Sequence, residues 1–366
     1  MSWGSAETPA EKVRTALLMP VAAGFGIGLY ARSLAYDFHF LKQTDFNVPV
    51  ISVGNITCGG TGKTPVTIDI ARRLTDNGHK VGILSRGYKR LSQDPILVVS
   101  NGEDQIRSCA ESGDEPFLIA KAVPQAIVIV GSKRIKTAEI AIKRFGCNVL
   151  LLDDGFQHWP IARSTDVVLV DYNDEPTRDR LMPAGRLREP LTALSRANWV
   201  VVTKVPPFPD LEKLAQLQST IARYAPTAEL TSCRMAPYAV QCIGSGDSIL
   251  SPHSLNGMRV LAFSGIARPE IFARQLGELG ANVVSSMSFG DHHWYTAQDV
   301  EQIGKEFART GAQIVLTTEK DAVKLLPAMI KDLPIGAIQQ RVEWLGPVPI
   351  DTKLTPRPSE KTLVTG

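Results

Sequence analysis

The order of apolar and polar positions predicts an alternation of buried strands and amphipathic helices. Short apolar runs rich in β-branched residues are typical of buried strands, and they occupy 48–53, 80–85, 96–99, 126–130, 148–152, 167–171 and 199–203. Apolar residues spaced three and four apart predict helices between several of these runs, as over 132–145. Such an alternation indicates an α/β fold with a mostly parallel sheet covered by helices on both faces.

A second alternation begins further along the chain. Strands are predicted at 259–263, 282–286 and 313–318, with helices at 269–279 and 297–310 between them. We therefore expect an additional, smaller α/β domain. The predicted organisation is an N-terminal helical segment, a larger α/β domain, the smaller α/β domain and a loosely held tail, with bounds of 1–44, 45–231, 232–345 and 346–366.

The N-terminal segment is unusually apolar. Seventeen uncharged residues, 15–31, lie between Arg14 and Arg32, and as one helix they span about 25 Å, less than the ~30 Å hydrocarbon core of a bilayer. Pro20 and the three glycines that follow it are expected to break this helix. A helical spacing places six residues on one apolar face: Ile27, Tyr30, Ala31, Leu34, Phe38 and Leu41. The pattern predicts a monotopic membrane-surface helix, with packing on the protein's own core as the alternative.

The strongest chemical signal is a glycine-rich loop after the first strand. The strand at 48–53 is followed by Gly54-Asn55-Ile56-Thr57-Cys58-Gly59-Gly60-Thr61-Gly62-Lys63-Thr64. A helix with Pro65 in its first turn and a stop at Gly78 is expected next. This context is that of a phosphate-binding P-loop, although the strict pattern has glycine where this chain has Thr57.

The chemistry of such a loop assigns roles to its residues. Backbone N–H groups surround the phosphates, the lysine contacts the β- and γ-phosphate oxygens, and the threonine hydroxyl binds Mg²⁺. Lys63 is accordingly a candidate catalytic residue and Thr64 a candidate metal ligand. The candidate nucleotide-binding residues are Thr57, Cys58, Gly59, Gly60, Thr61, Gly62, Lys63 and Thr64.

A pair of carboxylates ends a later strand. The apolar run at 148–152 leads into Asp153, Asp154 and Gly155. In P-loop enzymes a strand of this kind lies beside the loop, and its terminal acid organises Mg²⁺. Asp-Gly also marks ordinary turns, but the hydrophobicity of the strand favours the metal interpretation. The spacing leaves open which of Asp153 and Asp154 contacts the metal.

Composition narrows the class of protein. Hydrophobic residues make up 44% of the 366 positions and charged residues 21%, which is typical of a globular chain and excludes disordered and polytopic membrane proteins. A net charge of +3 gives no indication of a nucleic-acid partner. The five cysteines are scattered and form no CxxC pair, which favours reduced thiols in the cytosol.

Seven motifs in a fixed order resemble one known family. They are Gly59-Gly60-Thr61-Gly62-Lys63-Thr64, Ser85-Arg86-Gly87-Tyr88, Gly113-Asp114-Glu115-Pro116, Asp153-Asp154-Gly155-Phe156-Gln157-His158, Pro183-Ala184-Gly185-Arg186-Leu187-Arg188-Glu189, Phe289-Gly290-Asp291-His292-His293 and Leu316-Thr317-Thr318-Glu319-Lys320-Asp321-Ala322. Together they resemble the tetraacyldisaccharide 4′-kinases, the lipid A 4′-kinases of Gram-negative bacteria. The resemblance extends from the N-terminal apolar segment to about residue 325. The shifted glycines of the P-loop are themselves a feature of that family.

The resemblance implies an activity and a location. The activity is ATP- and Mg²⁺-dependent phosphorylation of the 4′-hydroxyl of a tetraacylated glucosamine disaccharide 1-phosphate, which yields lipid IVA. Residues 45–231 then form a P-loop kinase domain. The enzyme is expected to be peripheral and monotopic on the cytoplasmic face of the bacterial inner membrane. Its partners are the glycolipid and the membrane surface, with no nucleic acid and no required protein partner.

The resemblance also implies site residues. Asp114 is the candidate base, paired with His292, because a sugar hydroxyl must lose a proton as the phosphoryl group arrives. The neighbouring His293 stays open as the alternative partner. Arginine binds phosphate oxygens in a bidentate way, and the candidate substrate-binding residues are Arg86, Arg134, His158, Arg188 and Glu189.

Two other functions share part of this pattern. A GTPase-like switch needs an acid two residues after the lysine of a Thr-Lys pair, and the pair Thr203-Lys204 is followed instead by Val205 and Pro206. An ATP-dependent small-molecule ligase or synthetase has no use for an apolar N-terminal helix. A purely structural membrane-tethered protein explains none of the loop chemistry.

Overall fold

The computed structural model describes residues 8–104, 107–174, 176–243, 248–330 and 333–350; the predicted tail at 346–366 therefore lies mostly outside the described residues. The described residues form ten α-helices: α1 Pro9–Asp37, α2 Lys63–Asp76, α3 Cys109–Ser112, α4 Asp114–Ala122, α5 Arg134–Lys143, α6 Leu211–Tyr224, α7 Pro269–Glu278, α8 Ala297–Thr310, α9 Glu319–Ala322 and α10 Pro327–Ile330.

The same residues form thirteen strands: β1 Val50–Asn55, β2 Val81–Ser85, β3 Ile96–Asn101, β4 Ile127–Gly131, β5 Val149–Asp153, β6 Thr165–Asp171, β7 Trp199–Thr203, β8 Glu229–Ile243, β9 Ile249–Leu250, β10 Arg259–Ser264, β11 Asn282–Ser288, β12 Ile314–Thr318 and β13 Ile335–Trp344. The ten strands predicted from apolar runs are confirmed to within about two residues at each end, the usual scatter of strand boundaries. Strands β8, β9 and β13 were not among the predicted strands.

The chain folds into two compact units, and neither is continuous in sequence. The first unit comprises Met1–Arg86, Gln125–Met235 and Val342–Gly366, and the second comprises Gly87–Pro124 and Ala236–Arg341. Residues 87–124 therefore belong with the later part of the chain, whereas the sequence-based division simply followed chain order.

The first unit is built on a parallel sheet in the order β8-β7-β6-β1-β5-β2-β4. Every residue of β1, β2, β4, β5 and β7 is buried, because helices cover both faces of such a sheet. Strand β1 pairs with β5 in a register that sets Val53 opposite Asp153. The glycine-rich loop and the acidic pair therefore leave the sheet side by side, as the sequence predicted.

The second unit repeats the α/β arrangement on a smaller scale. Strands β11, β10, β12 and β13 are parallel neighbours. Side chains of β10 alternate between the two faces: Val260 packs with Leu276 of α7, and Leu261 packs with Ile303 of α8. The mixed α/β fold with a mostly parallel sheet is thus confirmed in both units.

The N-terminal helix differs from its prediction. Helix α1 is continuous over 29 residues with Pro20 inside it, so the expected break at Pro20 is wrong. Proline costs one backbone hydrogen bond and a steric clash, but the long flanking helical segments propagate through it. The helix ends at Asp37, so Phe38 and Leu41, which were predicted to continue its apolar face, lie beyond the helix.

Helix α1 has one packed side and one exposed apolar side. Thr15 and Ala22 are buried at 6% and 4% exposure, whereas Leu17 and Ile27 are 73% and 69% exposed. Among the described residues it is the one helix long and apolar enough to cross a membrane by length and composition. An apolar face of this kind is what a membrane-associated helix presents.

Candidate active site

The glycine-rich loop turns the chain from β1 into α2 by backbone conformations that glycine permits. Gly59 has φ of 124°, and Gly62, which caps α2, has φ of 86° in the left-handed region. A Cβ atom on Gly62 would also lie 2.6 Å from Cε of Met235. The left-handed conformation therefore favours glycine at position 62, and the flexible end of Met235 would have to shift to admit a Cβ atom.

Side chains at the end of β7 hold the loop in place. The Thr203 hydroxyl donates to the Thr61 carbonyl at 2.8 Å. The Lys204 ammonium donates to the Gly60 carbonyl and to the Asp171 carboxylate, the latter at 2.8 Å. Thr203 and Lys204, the pair that was compared with the GTPase motif, therefore hold the phosphate loop in place. This role was not predicted from the sequence. A loop braced in this way is preorganised for an anion.

Lys63 begins α2 with its ammonium group between two acceptors. Its Nζ lies 3.4 Å from Oδ1 of Asn55 and 3.7 Å from Oδ1 of Asp154. The side chain is 13% exposed. Asn55, the last residue of β1, was not among the predicted site residues.

The two carboxylates after β5 have different surroundings. Asp153 is buried, and its carboxylate accepts from the hydroxyls of Ser85 at 3.0 Å and Thr67 at 3.5 Å. Asp154 has φ of 50°, and both of its oxygens accept from Nη1 of Arg188, at 2.9 and 2.8 Å. Burial acts to raise the pKa of Asp154, but Lys63 and Arg188 outweigh it and bring the pKa below its ordinary value. Asp154 is therefore ionised at neutral pH.

These oxygen donors fit Mg²⁺. Magnesium prefers hard oxygen ligands and is usually held by one or two carboxylates together with substrate phosphates. Thr64, half-buried at the second position of α2, carries a hydroxyl oxygen of the same hard kind. The described residues contain no group of three or more His, Cys, Asp or Glu suited to a metal.

Two of the predicted substrate-binding residues lie in the protein interior. Arg134 is 1% exposed, and its guanidinium donates to the carbonyls of Asp153 at 2.5 Å and Asp154 at 3.1 Å. Burial lowers its pKa to about 10, against the opposing effect of the two aspartates. Glu189 is 3% exposed and forms an ion pair with Arg196. Arg134 thus fixes the turn that carries the acidic pair.

The other predicted substrate-binding residues are more accessible. Arg86 is exposed, and Arg188 and His158 are half-buried. Burial, reinforced by the positive charges of Arg134 and Arg86, lowers the pKa of His158 to about 3. The His158 imidazole is therefore neutral at physiological pH.

The predicted base and its histidine meet in the second unit. Asp114 is the first residue of α4 and is 3% exposed, and its Oδ2 lies 2.8 Å from Nδ1 of His292. His293 is bonded instead to Asp299, with Nε2 3.0 Å from Oδ2. Of the two neighbouring histidines, His292 is therefore the one paired with Asp114.

The pKa of Asp114 reflects competing influences. Burial acts to raise it, but the hydrogen bond from His292 and the charge of Lys320 outweigh burial, so the pKa lies below its usual value. The carboxylate is thus ionised and able to accept a proton.

A lysine and a second carboxylate complete this cluster. Lys320 Nζ lies 3.0 Å from Oε1 of Glu115, 3.1 Å from Nε2 of His292 and 3.9 Å from Oδ2 of Asp114. Sequence reasoning gave Lys320 and Glu115 no role, although both stand inside quoted motifs. Their position inside those motifs was the one feature of the sequence that could have indicated a role for Lys320 and Glu115.

Fold and loop together define a class of protein. A parallel sheet with a glycine-rich loop after β1, a GKT sequence opening α2 and an acid-ended neighbouring strand is the architecture of P-loop nucleotide-binding proteins.

Comparisons with known proteins narrow the class to a family. A family model described as tetraacyldisaccharide-1-P 4′-kinase matches residues 14–358. The chain belongs to this family of phosphotransferases.

Relatives named tetraacyldisaccharide 4′-kinase match along most of the chain. One from Anaeromyxobacter sp. (strain Fw109-5) is 40% identical over 339 residues, covering 92% of this chain and 90% of the relative. One from Geobacter metallireducens is 34% identical over 349 residues, covering 94% and 98%.

A solved structure agrees with these relatives. The "apo" form of LpxK from Aquifex aeolicus in complex with ATP is 32% identical and has a TM-score of 0.69. The match covers 90% of this chain and 95% of that one.

Proposed function

We propose that the protein transfers the γ-phosphoryl group of ATP to the 4′-hydroxyl of a tetraacylated glucosamine disaccharide 1-phosphate. The observation that carries this proposal is family membership over residues 14–358 in a chain with its own braced phosphate loop. The product is the 4′-phosphorylated disaccharide, lipid IVA.

In the first unit, the loop residues bind and orient the nucleotide. Backbone N–H groups of 57–62 surround the phosphates, and Lys63 stabilises the negative charge that accumulates on the transferring oxygens. Asn55 and Asp154 hold the Lys63 ammonium in place. Mg²⁺, when bound, neutralises phosphate charge, and Thr64 with Asp153 or Asp154 would hold it.

Asp114 accepts the proton of the 4′-hydroxyl in this proposal. Its carboxylate is ionised, and His292 fixes its orientation through the 2.8 Å hydrogen bond. Phosphoryl transfer passes through a loose transition state that depends more on positioning than on the strength of the base. A carboxylate of lowered pKa is therefore compatible with the role.

Arg86, Arg188 and His158 are the proposed contacts for the sugar and its 1-phosphate. Exposed guanidinium groups bind phosphate oxygens, and the neutral His158 imidazole suits a sugar hydroxyl. Arg134 and Glu189 support this region from the interior, through the backbone of the acidic turn and through Arg196.

The exposed face of α1 is the proposed membrane contact. Its apolar side chains enter the headgroup region, so the enzyme is peripheral and monotopic on the cytoplasmic face of the inner membrane, where its acylated substrate resides. The proposal needs neither nucleic acid nor a protein partner.

Acceptor dependence tests the function. ATP labelled at the γ position is incubated with the protein and Mg²⁺, with and without tetraacyl disaccharide 1-phosphate in mixed micelles. We expect label in the lipid, little release of inorganic phosphate without the lipid, and ATP preferred to GTP. A nucleotide switch would hydrolyse the nucleotide without acceptor, and a small-molecule ligase would leave the lipid unlabelled; either result contradicts the proposal.

A further inference from the structure

We propose that Arg186 is a positioning residue that joins the phosphate loop to the segment carrying Arg188, so that the nucleotide site and the glycolipid contact are held as one structural element. The inference rests on the proposed function, which makes the loop a nucleotide site and Arg188 a glycolipid contact. Lys204 contacts the same loop further along, at Gly60, and serves as the comparison. All of these residues belong to the first compact unit.

The first half of the phosphate loop pairs with residues 186–188. The Cys58 N–H donates to the Arg186 carbonyl at 2.7 Å, and the Arg188 N–H donates to the Ile56 carbonyl at 2.8 Å. Between these two bonds, Thr57 forms an antiparallel bridge to the same segment. The residue that stands where the strict loop pattern has glycine is therefore a paired one. The backbone of the loop and the backbone of Arg188 fix each other's position.

This pairing needs support from outside. An isolated two-stranded pairing is marginally stable at best in water, and here it consists of one bridge flanked by two hydrogen bonds. The Arg186 side chain supplies the support, because its guanidinium lies between two carboxylates. Its Nη2 is 3.1 Å from Oδ1 of Asp174, and its Nε is 3.4 Å from Oδ2 of Asp179. The side chains of Asp174 and Asp179 are 5% and 7% exposed, so salt screens these pairs less than exposed ones.

Both carboxylates are fixed to the fold. Asp174 follows β6, and its N–H donates at 2.9 Å to the carbonyl of Asp171, the last residue of that strand. Asp179 Oδ1 accepts from the backbone N–H groups of Arg180 at 2.8 Å and Arg186 at 3.0 Å, which closes the turn between them. Arg186 therefore connects the end of β6 to the phosphate loop.

Arg186 and Lys204 differ in what they hold. Lys204 connects the end of β6, through Asp171 at 2.8 Å, to the Gly60 carbonyl in the second half of the loop. Arg186 holds the first half of the loop and stands two residues before Arg188, whose Nη1 donates to Asp154 at 2.9 Å. Loss of Lys204 should therefore loosen the loop, whereas loss of Arg186 should loosen the loop and displace Arg188 as well.

The first test measures binding without turnover. The full-length protein in detergent micelles is titrated by calorimetry with ADP and Mg²⁺, and separately with tetraacyl disaccharide 1-phosphate. In Arg186→Met we expect both dissociation constants to rise by about 10-fold, a loss typical of removing a partner that orients a binding group. In Lys204→Met the constant for ADP should rise and that for the lipid should stay unchanged. An Arg186→Met protein that loses affinity for only one of the two ligands contradicts the proposal.

The second test separates positioning from a direct contact between Arg186 and the glycolipid phosphate. Asp174→Asn keeps the shape of a buried side chain and should weaken both ligands as Arg186→Met does. The double variant should be little worse than either single variant, because the same interaction is lost in all three. Arg186→Lys should restore part of the affinity for both ligands, since an ammonium group still pairs with Asp174. Additive losses, or normal binding by Asp174→Asn, overturn the positioning role.

The matched control is Arg223→Met, which removes an exposed arginine of α6 in the same unit and should change neither dissociation constant. Thermal unfolding of each variant is recorded alongside. If Arg186→Met does not fold, Asp174→Asn and Arg186→Lys decide the question by the same criteria. Failure of the wild-type protein to phosphorylate the lipid would overturn the proposed function, and the ADP titrations would still show whether Arg186 and Asp174 position the phosphate loop.

Discussion

At the scale of single residues, Lys63 links the phosphate loop to the acidic turn through Asn55 and Asp154. Lys63→Ala removes the positive charge that stabilises the oxygens of the phosphoryl group during transfer. The Lys63 side chain is not part of the hydrophobic core. We expect turnover to fall by at least about 10²-fold while thermal unfolding stays close to wild type. Lys305→Ala serves as the exposed-lysine control. Near-normal kcat in Lys63→Ala would exclude Lys63 as the phosphate lysine.

Asp114 and His292 are predicted to act as one unit. Asp114→Asn keeps the shape of the side chain but removes the acceptor for the proton, so kcat should fall by roughly 10²–10⁴-fold with little change in the KM for ATP. His292→Ala should cost less, and the double variant should be little worse than Asp114→Asn alone.

The measurement is a double-mutant cycle in kcat under saturating ATP and lipid. His293→Ala is the matched control, because His293 pairs with Asp299, and it should retain most activity. Strict additivity of the Asp114 and His292 losses would mean that the two residues act independently, contrary to the pairing.

The lowered pKa of His158 predicts how the stability of the folded protein depends on pH. Its pKa in the folded protein is about 3, whereas an unfolded histidine titrates near ~6.5. Between those values the unfolded chain binds more protons than the folded one, so stability falls as the pH is lowered through this window. His158→Gln should show a smaller drop in melting temperature between about pH 6.5 and 4. An identical pH dependence in wild type and variant would refute the assignment.

At the scale of elements, α1 carries the membrane proposal. Leu17 and Ile27 are exposed on its outer side, and placing a charge at each position opposes burial in a headgroup region. Leu17→Glu/Ile27→Glu should therefore lower co-sedimentation with anionic lipid vesicles. The matched control is Phe208→Glu/Ile249→Glu, which changes two exposed apolar residues elsewhere in the chain. Equal binding by the two double variants would contradict membrane contact through α1.

The strands show how far the sequence predicts structure. Parallel strands buried on both faces read as continuous apolar runs, which is why β1, β5 and β7 were found. Strand β13 was not predicted, because Gln339, Gln340 and Arg341 interrupt its apolar pattern. Helix α1 was predicted broken at Pro20 because propensity is local, whereas helix propagation depends on the whole segment.

The residues of the candidate site also differ in how well the sequence predicted them. The phosphate loop is contiguous in sequence, so its residues were identified together. The Asp114–His292 contact joins positions 178 apart, and only a family resemblance indicated it. Whether an arginine points to solvent or inward depends on packing, which is why the interior position of Arg134 could not be read from the sequence.

At the scale of the whole molecule, the candidate residues are divided between the two compact units. The phosphate loop and the acidic turn belong to the first unit, and Asp114, His292 and Lys320 belong to the second. Family membership extends over both, since the match covers residues 14–358. The predicted domain boundaries at 44, 231 and 345 stay a prediction, which limited proteolysis of the full chain would test.

The most direct test of the account is the position of the new phosphate on the product. The protein is incubated with ATP, Mg²⁺ and tetraacyl disaccharide 1-phosphate, and the purified lipid is analysed by ³¹P NMR and tandem mass spectrometry. We predict a second phosphomonoester on the 4′-hydroxyl oxygen, with the 1-phosphate retained. Asp114→Asn should give no such product after the same incubation time. Phosphate on any other hydroxyl, or hydrolysis of ATP that leaves the lipid unmodified, would contradict the account.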